Sequence, residues 1–203
     1  MRRAAEVQEE WKPRTKLGML VASGQITSME EVFALGYRIQ EPEITQRLLP
    51  DIKTEVIHVG IVQKQTDAGE MTRFKAIVAC GDESGFIGIG DGKARQMRTA
   101  IEKATKESLM NIIPVRLGCG SWECRCTNKH SIPYRVYGRG GSVKVELIPA
   151  PRGLGIVAGD NIKVMLRLAG LKDVWTKTFG STSTMSSTSK AVYEALRNTY
   201  RIG

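Results

Sequence analysis

Residues 81–95 are Gly81-Asp82-Glu83-Ser84-Gly85-Phe86-Ile87-Gly88-Ile89-Gly90-Asp91-Gly92-Lys93-Ala94-Arg95. The Gly/Asp/Ser cluster at 81–85 predicts a turn, and Phe86–Gly90 a short strand. A helix is expected to start near Gly92 or Lys93 and to run to about Asn111. At 100° per residue, Ala94, Met97, Ala100, Ile101 and Ala104 share one stripe, while Arg95, Arg98 and Lys106 share the opposite side. Upstream, the β-branched run Glu55–Gln63 and the run Arg73–Cys80 predict two strands, joined by the polar loop Lys64-Gln65-Thr66-Asp67-Ala68-Gly69. Residues 51–114 are therefore a βββα unit.

A strand, a Gly-rich stretch and a helix start are also the parts of a phosphate site, through free N–H groups and the helix dipole. The stretch is not a nucleotide loop. Ile87 and Ala94 stand where a Walker motif needs Gly and Ser/Thr, and Lys93 stands where a dinucleotide fingerprint needs Gly. Two readings remain: a tight turn, or a polymer phosphate lying on the helix start and clasped by Lys93.

Residues 1–50 predict three short helices. The first is Thr15–Ala22, stopped at Ser23-Gly24. The second opens on the capping-box pattern Ser28-Met29-Glu30-Glu31 and ends at Gly36. The third is Pro42–Leu49, with Pro50 as its stop. Residues 115–141 form a Cys-rich connecting segment. Beyond it, Ser142–Ile148 alternates as a half-exposed strand, and 149–155 is a Pro/Gly loop. Asp160 is placed to cap a helix reaching Gly170. Val174–Thr178 is a short strand, and a Ser/Thr-rich stretch from Gly180 to Ser189 precedes a last helix to Tyr200.

The 203 residues hold 30 Lys+Arg against 21 Asp+Glu, a formal charge of +9. Residues 1–50 carry seven of each sign and 51–114 nine of each, so the whole excess lies in 115–203, with fourteen basic and five acidic side chains. A one-sided excess favours a polyanionic partner. No apolar run approaches the roughly 18–20 residues that span a bilayer, and the first residues carry no apolar leader. A cytoplasmic protein without a membrane partner is expected.

Cys119, Cys124, Cys126 and His130 follow C-x4-C-x-C-x3-H. Three thiolates and an imidazole can close one tetrahedral, structural zinc site. Free thiols in a loop, or a disulfide between neighbours, account for the same spacing. Cys80 ends a strand and reads as a small core residue. The two histidines, His58 and His130, cannot supply an HExxH motif, and no Gly-x-Ser-x-Gly elbow occurs. An enzyme has little to stand on.

Two blocks of residues resemble a known family. Phe74–Ala79 followed by Gly81-Asp82-x-x-Gly85-x-x-Gly88-x-Gly90-x-Gly92-Lys93-Ala94-Arg95 is similar to the N-terminal RNA-binding module of the small-subunit ribosomal protein five family. Pro149-Ala150-Pro151-Arg152-Gly153-x-Gly155-Ile156-Val157-Ala158-Gly159, Leu168-Ala169-Gly170 and Lys177-x-x-Gly180-Ser181-Thr182 are similar to its C-terminal domain. Arg116–Cys124 resembles the archaeal branch. The resemblance implies an α+β protein of two domains, a double-stranded-RNA-binding-like βββα module and a small βαβα-type domain (142–203) with a left-handed crossover. It also implies a place beside the messenger entry site, contact with ribosomal protein four and a part in translational accuracy.

The combined expectation is a non-enzymatic ribosomal protein that needs no cofactor, with the structural zinc left open. It binds ribosomal RNA through Lys64, Arg73, Lys93, Arg95 and Arg98, and through Arg135, Arg139, Arg152 and Lys177. Gly88, Gly90, Gly92, Gly153 and Gly155 are expected to let backbone approach backbone. The rivals are a free double-stranded-RNA-binding regulator and, more distantly, a zinc enzyme centred on Cys119–His130.

Overall fold

The computed structural model describes residues 11–124, 126 and 128–201; the leader-free start read at residues 1–10 lies outside them. The chain divides into two compact units, up to Pro50 and from Asp51 onward.

The first unit holds α1 (Lys16–Ala22), α2 (Met29–Ala34) and α3 (Pro42–Leu48). Each starts as its sequence requires. The Thr15 hydroxyl accepts the Gly18 N–H at 3.0 Å, Ser28 and Glu31 form a reciprocal capping box, and Pro42 occupies the first turn of α3. Glu41 collects Trp11 Nε1 at 2.8 Å and the N–H groups of Arg14 and Thr15 at 2.9 and 2.7 Å. Burial works against its charge, but these donors hold its carboxyl below the usual range.

The second unit contains two four-stranded sheets. The first has β1 (Lys53–Thr66), β2 (Gly69–Gly81), β3 (Phe86–Ala94) and, after α4 (Met97–Met110), β4 (Ile112–Pro114). The order is β1-β2-β3-β4, antiparallel throughout. The fourth strand adds to the expected three. The second sheet has β5 (Val136–Gly140), β6 (Val143–Pro149), β7 (Ile156–Val157), then α5 (Asp160–Leu168), β8 (Val174–Phe179) and α6 (Met185–Arg201). Its order is β5-β6-β8-β7, with β7 and β8 parallel. Strand β5 already lies inside 115–141, so the expected connecting segment ends sooner. Gly159, not Asp160, is the N-cap of α5, and α6 begins within the Ser/Thr stretch.

Two differences from the sequence reading matter for function. First, the pairing runs to Thr66↔Gly69, so only Asp67 and Ala68 turn, and Lys64 is a strand residue opposite Met71. The ribbon projects into solvent, so its end is polar on both faces and reads as a loop. Second, β3 continues to Ala94 and α4 begins three residues later, with Gln96 as N-cap. The reason lies in the glycines. A Cβ on Gly88, Gly90 or Gly92 would stand 2.1, 2.1 or 2.3 Å from the carbonyl oxygens of Ser108, Ala104 and Ala100. Two residues of strand advance about 6.6–6.8 Å and four of helix about 6.0 Å, so glycines at i, i+2, i+4 lie under successive turns of α4. The inward helix residues are correspondingly small: Ala100, Ala104 and Ser108, whereas Met97 is exposed and Ile101 half-buried. The device recurs where β5 meets α6. A Cβ on Gly138 or Gly140 would stand 2.0 or 2.2 Å from the carbonyl oxygens of Ala191 and Ser187.

The two halves share a core that joins Ile77, Ala79, Ile87 and Ile89 of the first sheet to Val143, Val145, Leu147, Leu166 and Leu168 of the second half. Backbone ties cross the junction, such as Glu83 N–H to Leu168 C=O at 2.9 Å. The halves therefore hold a fixed relation.

Candidate nucleic-acid interface

Register and period-two alternation sort the first sheet into two faces. Gly88, Gly90 and Gly92 face α4, so Lys93 faces the other way. Lys75 lies opposite Lys93 and Arg73 opposite Val62, which puts Lys64, Arg73, Lys75 and Lys93 on the face away from α4, whose other end, at Ile77, Ala79, Ile87 and Ile89, is covered by the second half. Lys64, Arg73 and Lys93 are exposed and line one open cleft of about 370 Å³ with Val62, Thr66 and Met71. None of the three has a carboxylate partner among the described residues. Lys75 differs: its ammonium meets Asp91 at 2.9 Å and Ser186 Oγ at 3.1 Å. That ammonium is the main cause holding the Asp91 carboxyl below its usual range.

The structure separates the remaining first-half candidates from this cleft. Arg95 follows the end of β3 and Arg98 sits in the first turn of α4, which packs on the opposite face; Arg98 pairs with Glu102 at 3.1 Å. Lys93 cannot clasp a phosphate on the helix start, because it is in the strand. Gly88, Gly90 and Gly92 are buried against α4, so no nucleic-acid backbone reaches them. Their role is internal packing.

The second sheet has a bare face, opposite α6. Tyr137, Arg139, Lys144, Lys177 and Phe179 stand on it, in the register Arg139↔Lys144↔Phe179 and Tyr137↔Glu146↔Lys177. All but Glu146 are exposed. Tyr137 and Phe179 are 58% and 54% exposed, a large aromatic area among cations. Sequence reasoning found Arg139 and Lys177 but missed Lys144, Tyr137 and Phe179; the alternation of Ser142–Ile148 was the signal that put Lys144 outward. Arg135 is a correction. Its Nε donates to Glu146 Oε1, and its guanidinium lies 5.5 Å from the Tyr137 ring. Glu146 is only 3% exposed, so Arg135 serves first to neutralise a buried carboxylate.

In the loop after β6, Arg152 is exposed. Gly153 and Gly155 adopt φ of +91° and +79°, which favour glycine. Their N–H groups are already given to Asp173 Oδ1, at 3.1 and 2.8 Å, so they serve the chain's own carboxylate.

Cys119, Cys124, Cys126 and His130 come together, with all four donor atoms within 4.8 Å of one another. The Cys124 thiol is pulled down to about 6 by hydrogen bonds, first from the Cys126 thiol and then from the Arg152 N–H. Desolvation, followed by its sulfur neighbours, pushes Cys119 up to about 11. Cys80 is buried in the sheet, which raises it to about 11 as well.

Two family models match this architecture: the N-terminal domain of ribosomal protein S5 over residues 52–116 and its C-terminal domain over 138–202. The chain belongs to the ribosomal protein S5 family. Similar relatives are archaeal and bear the name small ribosomal subunit protein uS5. That of Cenarchaeum symbiosum is 59% identical over all of this chain and 93% of its own. That of Pyrobaculum aerophilum is 57% identical over 94% and 87%, and that of Thermofilum pendens 56% over 95% of each. The Cenarchaeum match spans residues 1–51 and 117–137, which the two family models leave out. The S5 family is structural and non-enzymatic. Among the described residues, no helix is long and apolar enough to cross a membrane.

Proposed function

We propose that this S5 chain works by gripping ribosomal RNA on the projecting end of the first sheet, on the side away from α4, and on the bare face of the second sheet. As a family member it is a structural component of the small ribosomal subunit, and it performs no chemistry. Lys64, Arg73 and Lys93 take phosphates in the cleft of the first sheet. Arg139, Lys144 and Lys177 do so on the second, where Tyr137 and Phe179 offer stacking surfaces. Contacts to phosphate and sugar position a folded RNA by shape, without reading its bases. The observation that carries this reading is the convergence of three exposed cations, none with a carboxylate partner among the described residues, on the projecting end of the sheet face opposite α4, in a segment with no net charge. The finer part of the proposal follows the family. The chain sits near the messenger entry site, touches ribosomal protein four, and supports accuracy by contacts that differ between two states of the subunit.

Binding of the full chain to small-subunit ribosomal RNA, measured against salt, tests the first part. Each cation that neutralises a phosphate contributes about 0.7–0.9 to the slope of log K against log salt. Replacing Lys64, Arg73 and Lys93 by Ala is expected to lower that slope by about 2–2.7, with melting unchanged. An unaltered slope refutes the cleft. Misreading unchanged across variants that weaken the contact with protein four refutes the role in accuracy.

A further inference from the structure

Between the spans of the two family models, the segment that carries Cys119, Cys124, Cys126 and His130 is folded by its own contacts. Gly118 and Ser131 form an antiparallel bridge, with N–H···O distances of 2.7 and 2.8 Å. Gly120 N–H reaches Ile132 C=O at 3.1 Å, out of the register of that bridge, and the segment brings Cys119, Cys124, Cys126 and His130 to one point. We propose that these four side chains hold one structural zinc ion, and that Asp173 transmits its hold to the loop at Pro151–Gly155.

The distances fit. Cys126 Sγ lies 3.0 Å from Cys124 Sγ, 3.4 Å from Cys119 Sγ and 3.1 Å from His130 Nε2, and Cys124 Sγ is 3.8 Å from Nε2. A tetrahedron with Zn–S of about 2.3 Å and Zn–N of about 2.0 Å has edges of roughly 3.5–3.8 Å, so the closest pair, Cys124 and Cys126, has to open by about 0.8 Å to hold the ion. The histidine is set for ligation: Nδ1 meets Asp173 Oδ2 at 2.8 Å, which fixes the proton on Nδ1 and turns the Nε2 lone pair to the sulfurs. Both groups are buried, with side-chain exposures of 6% and 7%. A Cys124–Cys126 disulfide would leave this oriented imidazole and the third thiol unexplained. Four protein ligands leave no open position, so the site is structural.

The same carboxylate reaches outward. Asp173 Oδ1 accepts the N–H groups of Gly153 and Gly155, the His130 carbonyl accepts those of Lys172 and Asp173, and the Arg152 N–H donates to Cys124 Sγ. The ion therefore fastens the loop that presents Arg152.

The purified full chain, dialysed against metal-free buffer with a thiol reductant, is expected to keep one zinc per chain by elemental mass spectrometry. Cobalt put in its place should give the visible bands of a tetrahedral thiolate site. Cys124→Ser should lose both. Since ligand loss also unfolds small metal sites, Asp173→Asn is the second variant: all four ligands remain, and zinc affinity should fall about 10–100-fold. Chelation of the wild-type chain should speed amide hydrogen exchange at Gly153 and Gly155. A metal-free chain with four free thiols, a Cys124–Cys126 disulfide, or zinc retained by Cys124→Ser overturns the site. Exchange at Gly153 and Gly155 that ignores chelation overturns the link to the loop.

Discussion

Gly90→Ala separates a packing glycine from an RNA-facing one. A Cβ at residue 90 would stand 2.1 Å from Ala104 O and 2.4 Å from Ser108 N, both backbone atoms that no rotamer change can move. Ordinary contact begins near 3.4 Å, so α4 must retreat by about 1.3 Å along a surface where interiors tolerate little. That retreat loosens the small core of Ala76, Val78, Ala94, Ala100 and Ala104. Overpacking costs about 1–3 kcal/mol, and a backbone clash belongs at the upper end. For a unit of this size 1 kcal/mol moves Tm by about 2–4 °C, so a cost of about 3 kcal/mol is a fall of roughly 6–12 °C. The control is Gly159→Ala, at a position with φ of −65° and no atom within 4 Å of the added carbon. It should stay within about 1 kcal/mol of wild type. Circular dichroism melts of the two variants in the absence of RNA suffice. If Gly90→Ala melts with the wild type and only RNA binding suffers, the packing account is wrong and the glycine faces RNA after all.

Two pH limbs follow from paired and buried groups. The Asp91 carboxyl is held low chiefly by Lys75; its folded value lies below its unfolded one, so its stabilisation is present above about pH 4 and is lost as pH falls through the folded value. Asp91→Asn should make acid unfolding less steep below pH 4, and an unchanged slope would show that the pair contributes nothing. Burial pushes the Tyr193 phenol up to about 12, and its hydroxyl donates to Asn111 C=O at 2.8 Å. Below pH 10 both states keep the proton; between about 10 and 12 the unfolded chain loses it first, so stability falls across that window. Tyr193→Phe should flatten the alkaline limb and cost about 1 kcal/mol at neutral pH, both read from denaturant melts.

The sequence made the elements legible wherever a local rule governs them. Ser28-x-x-Glu31 announces its helix because both partners of the capping box lie within four residues. The β-branched run around Ile57 announces a strand. What stayed hidden depends on contacts across the fold. Gly88, Gly90 and Gly92 read as a phosphate loop because glycine permits either a special backbone angle or a close approach, and only the presence of α4 decides between them. Lys64 read as a loop residue because a solvated two-stranded ribbon has no apolar face to mark it. The second sheet's aromatic and basic face was half visible: period-two alternation exposes Lys144, but nothing local says that Tyr137 and Phe179 stand beside it. The four Cys and His residues were grouped by spacing alone, whereas Asp173, 43 residues from His130, had no sequence signal.

The placement of acidic groups explains how a segment with no net charge can present a basic face. Asp91 is held by Lys75, and Glu107 reaches the Asp91 N–H at 3.1 Å. Asp82 Oδ1 accepts three backbone N–H groups in the turn before β3. In the second half Glu146 lies under Arg135, and Asp173 under His130 and the two loop amides. Each of these carboxylates is committed to fixing the fold, while Lys64, Arg73, Lys93, Arg139, Lys144, Arg152 and Lys177 are exposed. Carboxylates fixed beneath the surface neutralise their own partners and leave the outer cations free to release counterions on binding. Because the two halves share one core, the cations of both sheets are held in fixed relation, which is what recognition of a folded RNA by shape requires.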